Sequence, residues 1–359
     1  MAPVVNRDFW HGRRVFVTGH TGFKGSWLTL ILSRLGACAT GYSLEPVLNP
    51  NMFAVAQLHD QMHNVYGDIN DRGRLAAAMR DAKPDVVLHM AAQPLVRAAY
   101  QDPVATFADN VMGTVHVLDA IRTLEGVRSV IIVTTDKCYE NREWDWGYRE
   151  IDGLGGRDPY SSSKACAELV SSAFRESYFP TASHAQHGVG VASVRAGNVI
   201  GGGDWAEDRL IPDIVRAASL GKSLEIRSPG ATRPWQHVLE PLAGYLTLAE
   251  RLYTNGPEFA QAWNFGPDSQ SERTVAEVLD GFVRRWPDGV QWHTSQTRHP
   301  HEARYLKLDC AKSRSRLGWT PKLSFEDALD LTAAWYLAHA NGADMQDFTS
   351  SQIADYFGQ

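Results

Sequence analysis

The sequence predicts an α/β protein: a doubly wound parallel sheet followed by a smaller C-terminal lobe that binds substrate. Three observations predict it. Short apolar runs alternate with longer amphipathic stretches through the first half of the 359 residues, as crossover connections between parallel strands require. A glycine-rich turn lies directly between the first run and the first helical pattern. Beyond Ala196 the alternation gives way to irregular stretches rich in Gly, Pro and Trp.

The elements follow in order. Arg14–Thr18 (RVFVT) reads as a buried strand and Gly25–Leu35 as the helix after it. Ala37–Ser43 and Asn64–Tyr66 read as the next two strands. Arg72–Arg80 is helical, Asp85–Met90 is an apolar strand, and Pro103 opens a helix reaching Leu124, since proline suits a first helical turn. Val127–Thr134 is again a strand, Tyr160–Tyr178 a helix and Val189–Arg195 a strand. We expect residues 1–195 to form the dinucleotide-binding domain and 196–359 mainly the substrate lobe, with a return to the first domain at about 236–252.

Composition narrows the function. The net charge of -6 argues against a general nucleic-acid binder. Four cysteines, Cys38, Cys138, Cys166 and Cys310, show no CxxC pairing, which excludes a zinc ribbon or dithiol site and suits reduced thiols. No metal is expected. The N-terminal stretch has no apolar signal region, and no run approaches the roughly 20 residues of a membrane span. A soluble, cytoplasmic protein is expected.

Gly19-His20-Thr21-Gly22-Phe23-Lys24-Gly25 closes the first strand. Three glycines exceed what a plain turn needs. They let the backbone approach a pyrophosphate at a helix N-terminus, as in Rossmann-type dinucleotide sites. The spacing is GxxGxxG, not GxGxxG. The second strand ends at Ser43 with Glu45 beyond, and no Arg or Lys lies between Gly36 and Pro50 to hold a 2′-phosphate. NAD is therefore the expected cofactor. Lys24 is the nearest cation and suits the pyrophosphate.

Tyr160 and Lys164 stand four residues apart at the head of a helix, hence on one face. A lysine cation and a bound nicotinamide cation would lower the phenol pKa and make it a base for a sugar hydroxyl.

With these motifs the chain resembles the extended short-chain dehydrogenase/reductase family over essentially its whole length. Further carriers are Gly67-Asp68-Ile69, Ala91-Ala92-Gln93, Asn110 and Arg195-Ala196-Gly197-Asn198. GHTGFKGSWL, TTDKCY, RAGNVIGGGDWAEDRLIPD, RPWQHVLEPLAGYL and HEARYLKLD point to its nucleotide-sugar dehydratase branch, the cytidine-linked group in particular. The resemblance implies that Asp68 and Ile69 flank the adenine. It also implies that Ala91, Ala92, Gln93, Asn110 and Thr134 join the glycine loop in holding the cofactor. Lys164 would hold the nicotinamide ribose. Asn198 would sit on the substrate diphosphate, with Arg209, Arg233, His301 and Glu302 around the nucleotide. Such a dehydratase oxidises C4 of a hexose, eliminates water across C5 and C6, and returns the hydride to C6.

Thr135-Asp136-Lys137 follows the strand 127–134. Asp136 is the candidate acid for the C6 hydroxyl and Thr135 the candidate hydrogen bond to the C4 oxygen. The thymidine- and GDP-linked groups carry Glu where this chain has Lys137. Lys137 could take the C5 proton if its pKa is depressed, stabilise a C4 enolate, or pair with Asp136. A nucleotide-sugar 4-epimerase would need no acid at C6, so Asp136 discriminates. An NAD-sensing regulator would have no use for the Tyr-Lys pair. The family pairs through helices like 103–124 and 160–178, which predicts at least a homodimer. Trp205 and Trp235 adjoin the substrate positions. Of His184, His187, His293 and His299, most read as solvated loop residues.

Overall fold

The computed structural model describes residues 5–268, 272–287, 289–295 and 305–358. Its central sheet has seven parallel strands: β1 (Arg14–Thr18), β2 (Cys38–Ser43), β3 (His63–Tyr66), β4 (Val86–His89), β5 (Ser129–Val133), β6 (Gly190–Ala196) and β10 (Ala262–Phe265). Their spatial order is β3-β2-β1-β4-β5-β6-β10. The chain leaves β1 toward β2 and β3, then crosses back to β4. That reversal opens a crevice at the carboxyl ends of β1 and β4, where such sheets bind ligands.

Both faces of the sheet are covered, which is why its strands read as continuous apolar runs. In β1, Val15 and Val17 pack into one layer with Trp27, Leu28 and Ile31 of helix α1 (Phe23–Arg34). Phe16 points the other way, onto Leu75 and Met79 of α2 (Arg72–Ala82) and Val117 and Leu118 further on. Helix α3 (Val96–Gln101) is followed by Pro103–Phe107, which runs through a π turn, Ala108–Met112, into Gly113–Ile121; these three form α4. A single inserted residue of this kind often marks a functional site, and Asn110 lies in it. Helix α5 (Pro159–Ser177) is fixed at its start by Asp158, whose carboxylate accepts from Ser161 N at 2.9 Å, and by Pro159 in the first turn.

The smaller lobe holds a three-stranded sheet, β7 (Asn198–Ile200), β9 (Thr232–His237) and β11 (Glu272–Thr274), and the pair β8 (Leu224–Ile226) and β12 (Trp292–Thr294). Helices α6 (Leu210–Ser219), α8 (Val275–Val283), α9 (Phe325–Ala340) and α10 (Met345–Phe357) surround them. Helix α7 (Leu239–Phe259) starts one residue after β9, and its apolar residues share a core with those of β5 and β6. Only Gly197 separates β6 from β7. A Cβ there would lie 2.7 Å from Pro234 Cγ, so the two sheets meet too closely for any side chain.

The expected strands and helices of the first half are all present, with ends shifted by a few residues. Helix α3, strand β10 and the π turn were not expected. β10 is four residues long and owes its place to parallel pairing with β6, a tertiary cause that no local pattern announces.

Candidate active site

A cleft of about 1430 Å³ runs along the carboxyl edge of the sheet and under the smaller lobe. Gly19, Thr21, Gly22, Phe23, Lys24 and Gly25 line one end of it. Gly19 has φ +76, and a Cβ there would lie 2.7 Å from Ala91 N. A Cβ on Gly25 would lie 2.1 Å from Gly19 O. No side chain caps Gly22, so the first N–H groups of α1 are left for a ligand. This cradle, which any side chain would fill, fits a pyrophosphate. At the end of β2, Thr21 Oγ1 lies 2.8 Å from Ser43 Oγ, beside Leu44 and Glu45 in the cleft wall. Asp68 and Ile69 line the same end, with Tyr42 OH donating to Asp68 O at 2.8 Å.

His20 sits in the loop, but its ring turns away from the cleft. It is buried against Phe53 and Tyr66, and a Cβ on Gly41 would touch it at 2.4 Å. Burial lowers its pKa to about 4. His89, at the end of β4, is also neutral, at about 3 through burial. Thr18 Oγ1 accepts from Met90 N and Ala91 N at 3.1 Å each, so its proton goes to His89 Nδ1 at 2.7 Å. His89 Nε2–H then donates to Thr114 Oγ1 at 3.2 Å, and Thr114 to Asn110 O at 2.7 Å. This chain fixes the backbone of Met90 and Ala91, which with Ala92 line the cleft.

Gln93 and Asn110 stand behind that wall. Asn110 Oδ1 accepts from Gln93 N at 2.8 Å, and its Nδ2 donates to Ser163 Oγ at 2.8 Å. They tie the turn after β4 to α5.

Tyr160 and Lys164 project from α5 into the middle of the cleft, beside Thr134, Thr135 and Lys137. Lys164 Nζ donates to Val133 O at 3.2 Å, and burial lowers its pKa to about 8. Burial pushes Tyr160 up to about 12, against a pull downward from the facing Thr135 hydroxyl, with Asp136 adding a further push upward. In the chain by itself the phenol thus moves opposite to the direction expected with a bound nicotinamide cation.

Asp136 is wholly buried on the short turn Asp136–Cys138, just behind the wall. Its Oδ1 accepts from Thr135 Oγ1 at 3.0 Å and Lys137 Nζ at 3.3 Å. Its Oδ2 has no partner among the described residues and lies 3.4 Å from where a Gly197 Cβ would stand. Lys137 also reaches Asn198 Oδ1 at 3.5 Å. The pairing of Lys137 with Asp136 is thus present, and Lys137 still faces the cleft. Lys24 joins this group of charges; burial, then Arg209, lowers its pKa to about 8.

Beyond the sugar-sized middle, the cleft is lined by arginines. Arg209 NH1 pairs with Asp204 at 2.7 Å. Arg233 is buried on β9, with NH1 donating to Thr232 O at 2.8 Å. Sequence reading missed Arg97 on α3 and Arg227 after β8, both of which meet Asp208, at 2.9 and 3.8 Å. No spacing signal links these three positions. Trp205 lines the cleft and packs on Trp335 and Tyr336; Trp235 lines it and donates to Arg273 O at 3.0 Å. His301 and Glu302 lie outside the described residues. Among the described residues no group of three His, Cys, Asp or Glu could hold a metal ion, and no helix is long and apolar enough to cross a membrane.

A family model described as GDP-mannose 4,6 dehydratase matches residues 16–332. The CDP-glucose 4,6-dehydratase of Salmonella typhimurium is 51% identical over 353 residues, 98% of this chain and 98% of the relative. Among solved structures, a UDP-glucose-4-epimerase from Stenotrophomonas maltophila with bound NAD superposes with a TM-score of 0.79 at 20% identity, covering 92% of this chain and 100% of that one. A dTDP-glucose 4,6-dehydratase from Bacillus anthracis in complex with NAD gives 0.74 at 23%, covering 93% and 99%.

Proposed function

The chain belongs to the GDP-mannose 4,6-dehydratase family, and from that membership we propose that it is an NAD-dependent hydro-lyase converting CDP-D-glucose to CDP-4-keto-6-deoxy-D-glucose and water. The observation that carries the reading is one juxtaposition. The Tyr160–Lys164 pair stands beside Thr135 and Lys137, with Asp136 just behind them, in a cleft whose one end is a backbone cradle and whose other end is lined with arginines.

Gly19, Gly22, Gly25, Asp68, Ala91 and Lys164 would hold the NAD. When bound, NAD supplies the electron acceptor for C4 oxidation and the hydride donor at C6. Tyr160 removes the proton of the 4-hydroxyl, and the Lys164 ammonium favours the phenolate that this requires. Thr135 donates to the C4 oxygen. Lys137 first passes a proton to its partner Asp136. The free amine then removes the C5 proton, which the C4 ketone makes acidic, while Asp136 gives its proton to the departing C6 hydroxyl past Gly197, where no side chain obstructs it. Lys137 returns the proton to C5 as the hydride reaches C6, and the proton taken up by Tyr160 restores the pair. Asn198, Arg209 and Arg233 grip the diphosphate, the guanidinium fork suiting phosphate oxygens. An epimerase would have no use for this acid behind the sugar.

A homodimer is part of the proposal. Val104 and Met112 on α4 and Leu169 on α5 leave an apolar strip exposed, at 79, 46 and 59%, which a second copy would cover. The cytoplasm is the compartment that holds NAD and nucleotide sugars for such an enzyme.

The test is a panel of CDP-, dTDP-, UDP- and GDP-glucose with NAD, followed by the 4-keto chromophore. Turnover of CDP-glucose well above the rest is expected. C4 deuterium should reappear in the product methyl group; label lost to water overturns the reading.

A further inference from the structure

One buried carboxylate has no part in the mechanism above. Glu168 lies on α5, one turn beyond Lys164 and two beyond Tyr160, so all three share a helical stripe. It is 3% exposed, as is its partner Arg195 on β6. Its Oε1 accepts from the Thr134 hydroxyl. Its Oε2 accepts from Ser193 Oγ at 2.7 Å and Arg195 NH2 at 2.8 Å. Arg195 NH1 donates to Tyr139 OH at 2.7 Å and Glu150 O at 3.2 Å, and Tyr139 donates to Asn264 Oδ1 at 2.8 Å. Thr134 and Tyr139 bracket the turn that carries Thr135, Asp136 and Lys137. One ion pair therefore holds both ends of that turn and binds it to the helix bearing Tyr160 and Lys164.

Stability alone is a poor reason for such a pair. Two charges lose their hydration on burial, and apolar replacements of similar volume are often no less stable. The charge has a nearer use. The titratable groups around Lys164 are Tyr160 and Glu168 on its own helix, Cys138 on the catalytic turn, Lys24 at the head of α1 and His89 at the end of β4. Burial keeps His89 and the Cys138 thiol neutral. Lys24 is a competing cation. Of these groups Glu168 alone is anionic at neutral pH, because Arg195, Thr134 and Ser193 outweigh its burial.

We propose that Glu168 is a positioning residue for C4 oxidation: it clamps the catalytic turn to the tyrosine helix, and its negative charge sustains the Lys164 ammonium. The proposal rests on the reading of Tyr160 and Lys164 given above. The sign follows directly. Lys164 serves as a cation, so activity falls as pH rises through its pKa. Removing the Glu168 charge lowers that pKa and moves the alkaline limb toward acid.

Glu168→Gln keeps the shape and most of the hydrogen bonds. Its kcat should fall about 10-fold at pH 8 and its alkaline limb move about one unit toward acid, given a loss of one neighbouring opposite charge. Activity should recover at pH 6, which a merely structural lesion would not allow. The isotope effect from C4-deuterated CDP-glucose should rise as hydride removal becomes limiting. If the unpaired Arg195 prevents folding, Glu168→Gln with Arg195→Met removes both charges and should shift the limb in the same direction by a smaller amount, since a cation is lost with the anion. A folded variant with the wild-type limb and isotope effect overturns the proposal. Tyr160→Phe separates the two claims: full turnover in that variant defeats the parent reading, whereas its loss beside an unmoved Glu168→Gln limb defeats this one.

Discussion

The two ends of the cleft are built on different principles. The cofactor end is a backbone site: Gly19 and Gly25 approach Ala91 and each other so closely that a methyl group would collide. The substrate end is a side-chain site, where Arg97, Arg209, Arg227 and Arg233 converge from α3, the approach to α6, the end of β8 and β9. A backbone site tolerates almost no substitution, because the colliding atoms cannot move aside. A side-chain site degrades in steps, one contact at a time.

The sharpest test of this contrast is Gly25→Ala. Its Cβ would lie 2.1 Å from a carbonyl oxygen. Strain of about 3 kcal/mol corresponds to roughly 100-fold weaker NAD binding, read by fluorescence titration on protein of unchanged circular dichroism. Retained affinity would break the contrast.

Acid should expose the cofactor end next. His20 and His89 are held neutral, at about 4 and about 3, against 6.5 unfolded. The unfolded chain binds more protons below pH 6.5, so stability is lost as pH falls through that window. The loss is up to about 2 kcal/mol for each at pH 5, visible as a falling urea midpoint. Saturating NAD should offset part of it. A midpoint that stays flat from pH 7 to 5 would contradict the buried neutral rings.

Arg209→Ala should raise KM for CDP-glucose about 10-fold, the worth of one charged hydrogen bond, and leave NAD affinity within error. Equal losses in both would mean that the two ends are not separate. Thr21→Ala is the mildest change. It removes the contacts to Ser43 Oγ and Leu44 O and should weaken NAD about 3-fold, with KM for the sugar nucleotide unchanged.

The same contrast explains what could be read from the chain alone. The glycine loop and the Tyr160–Lys164 pair are local; their spacing and their place after a strand carry the meaning. The strands β1, β4, β5 and β6 were legible because burial on both faces leaves an apolar run such as VIIV in β5. Arg97, Asp208 and Arg227 were not, because their proximity exists only after α3 and the smaller lobe have packed. Nor was Glu168, whose partners are Thr134, just past β5, and Ser193 and Arg195 on β6. The strands β7, β8, β11 and β12 have three residues each, too few for a period to show. Even the inward turn of His20 depends on a distant event, the pairing that brings Gly41 beneath it.

Gly197 has a mechanical consequence. One residue reaches at most about 3.6 Å, and the strands on either side of it are each hydrogen-bonded into their own sheets. The lobes therefore cannot yawn apart on this side like jaws on a slack hinge. The roof over the sugar is moored at this point, free to tilt about it but not to lift away from it.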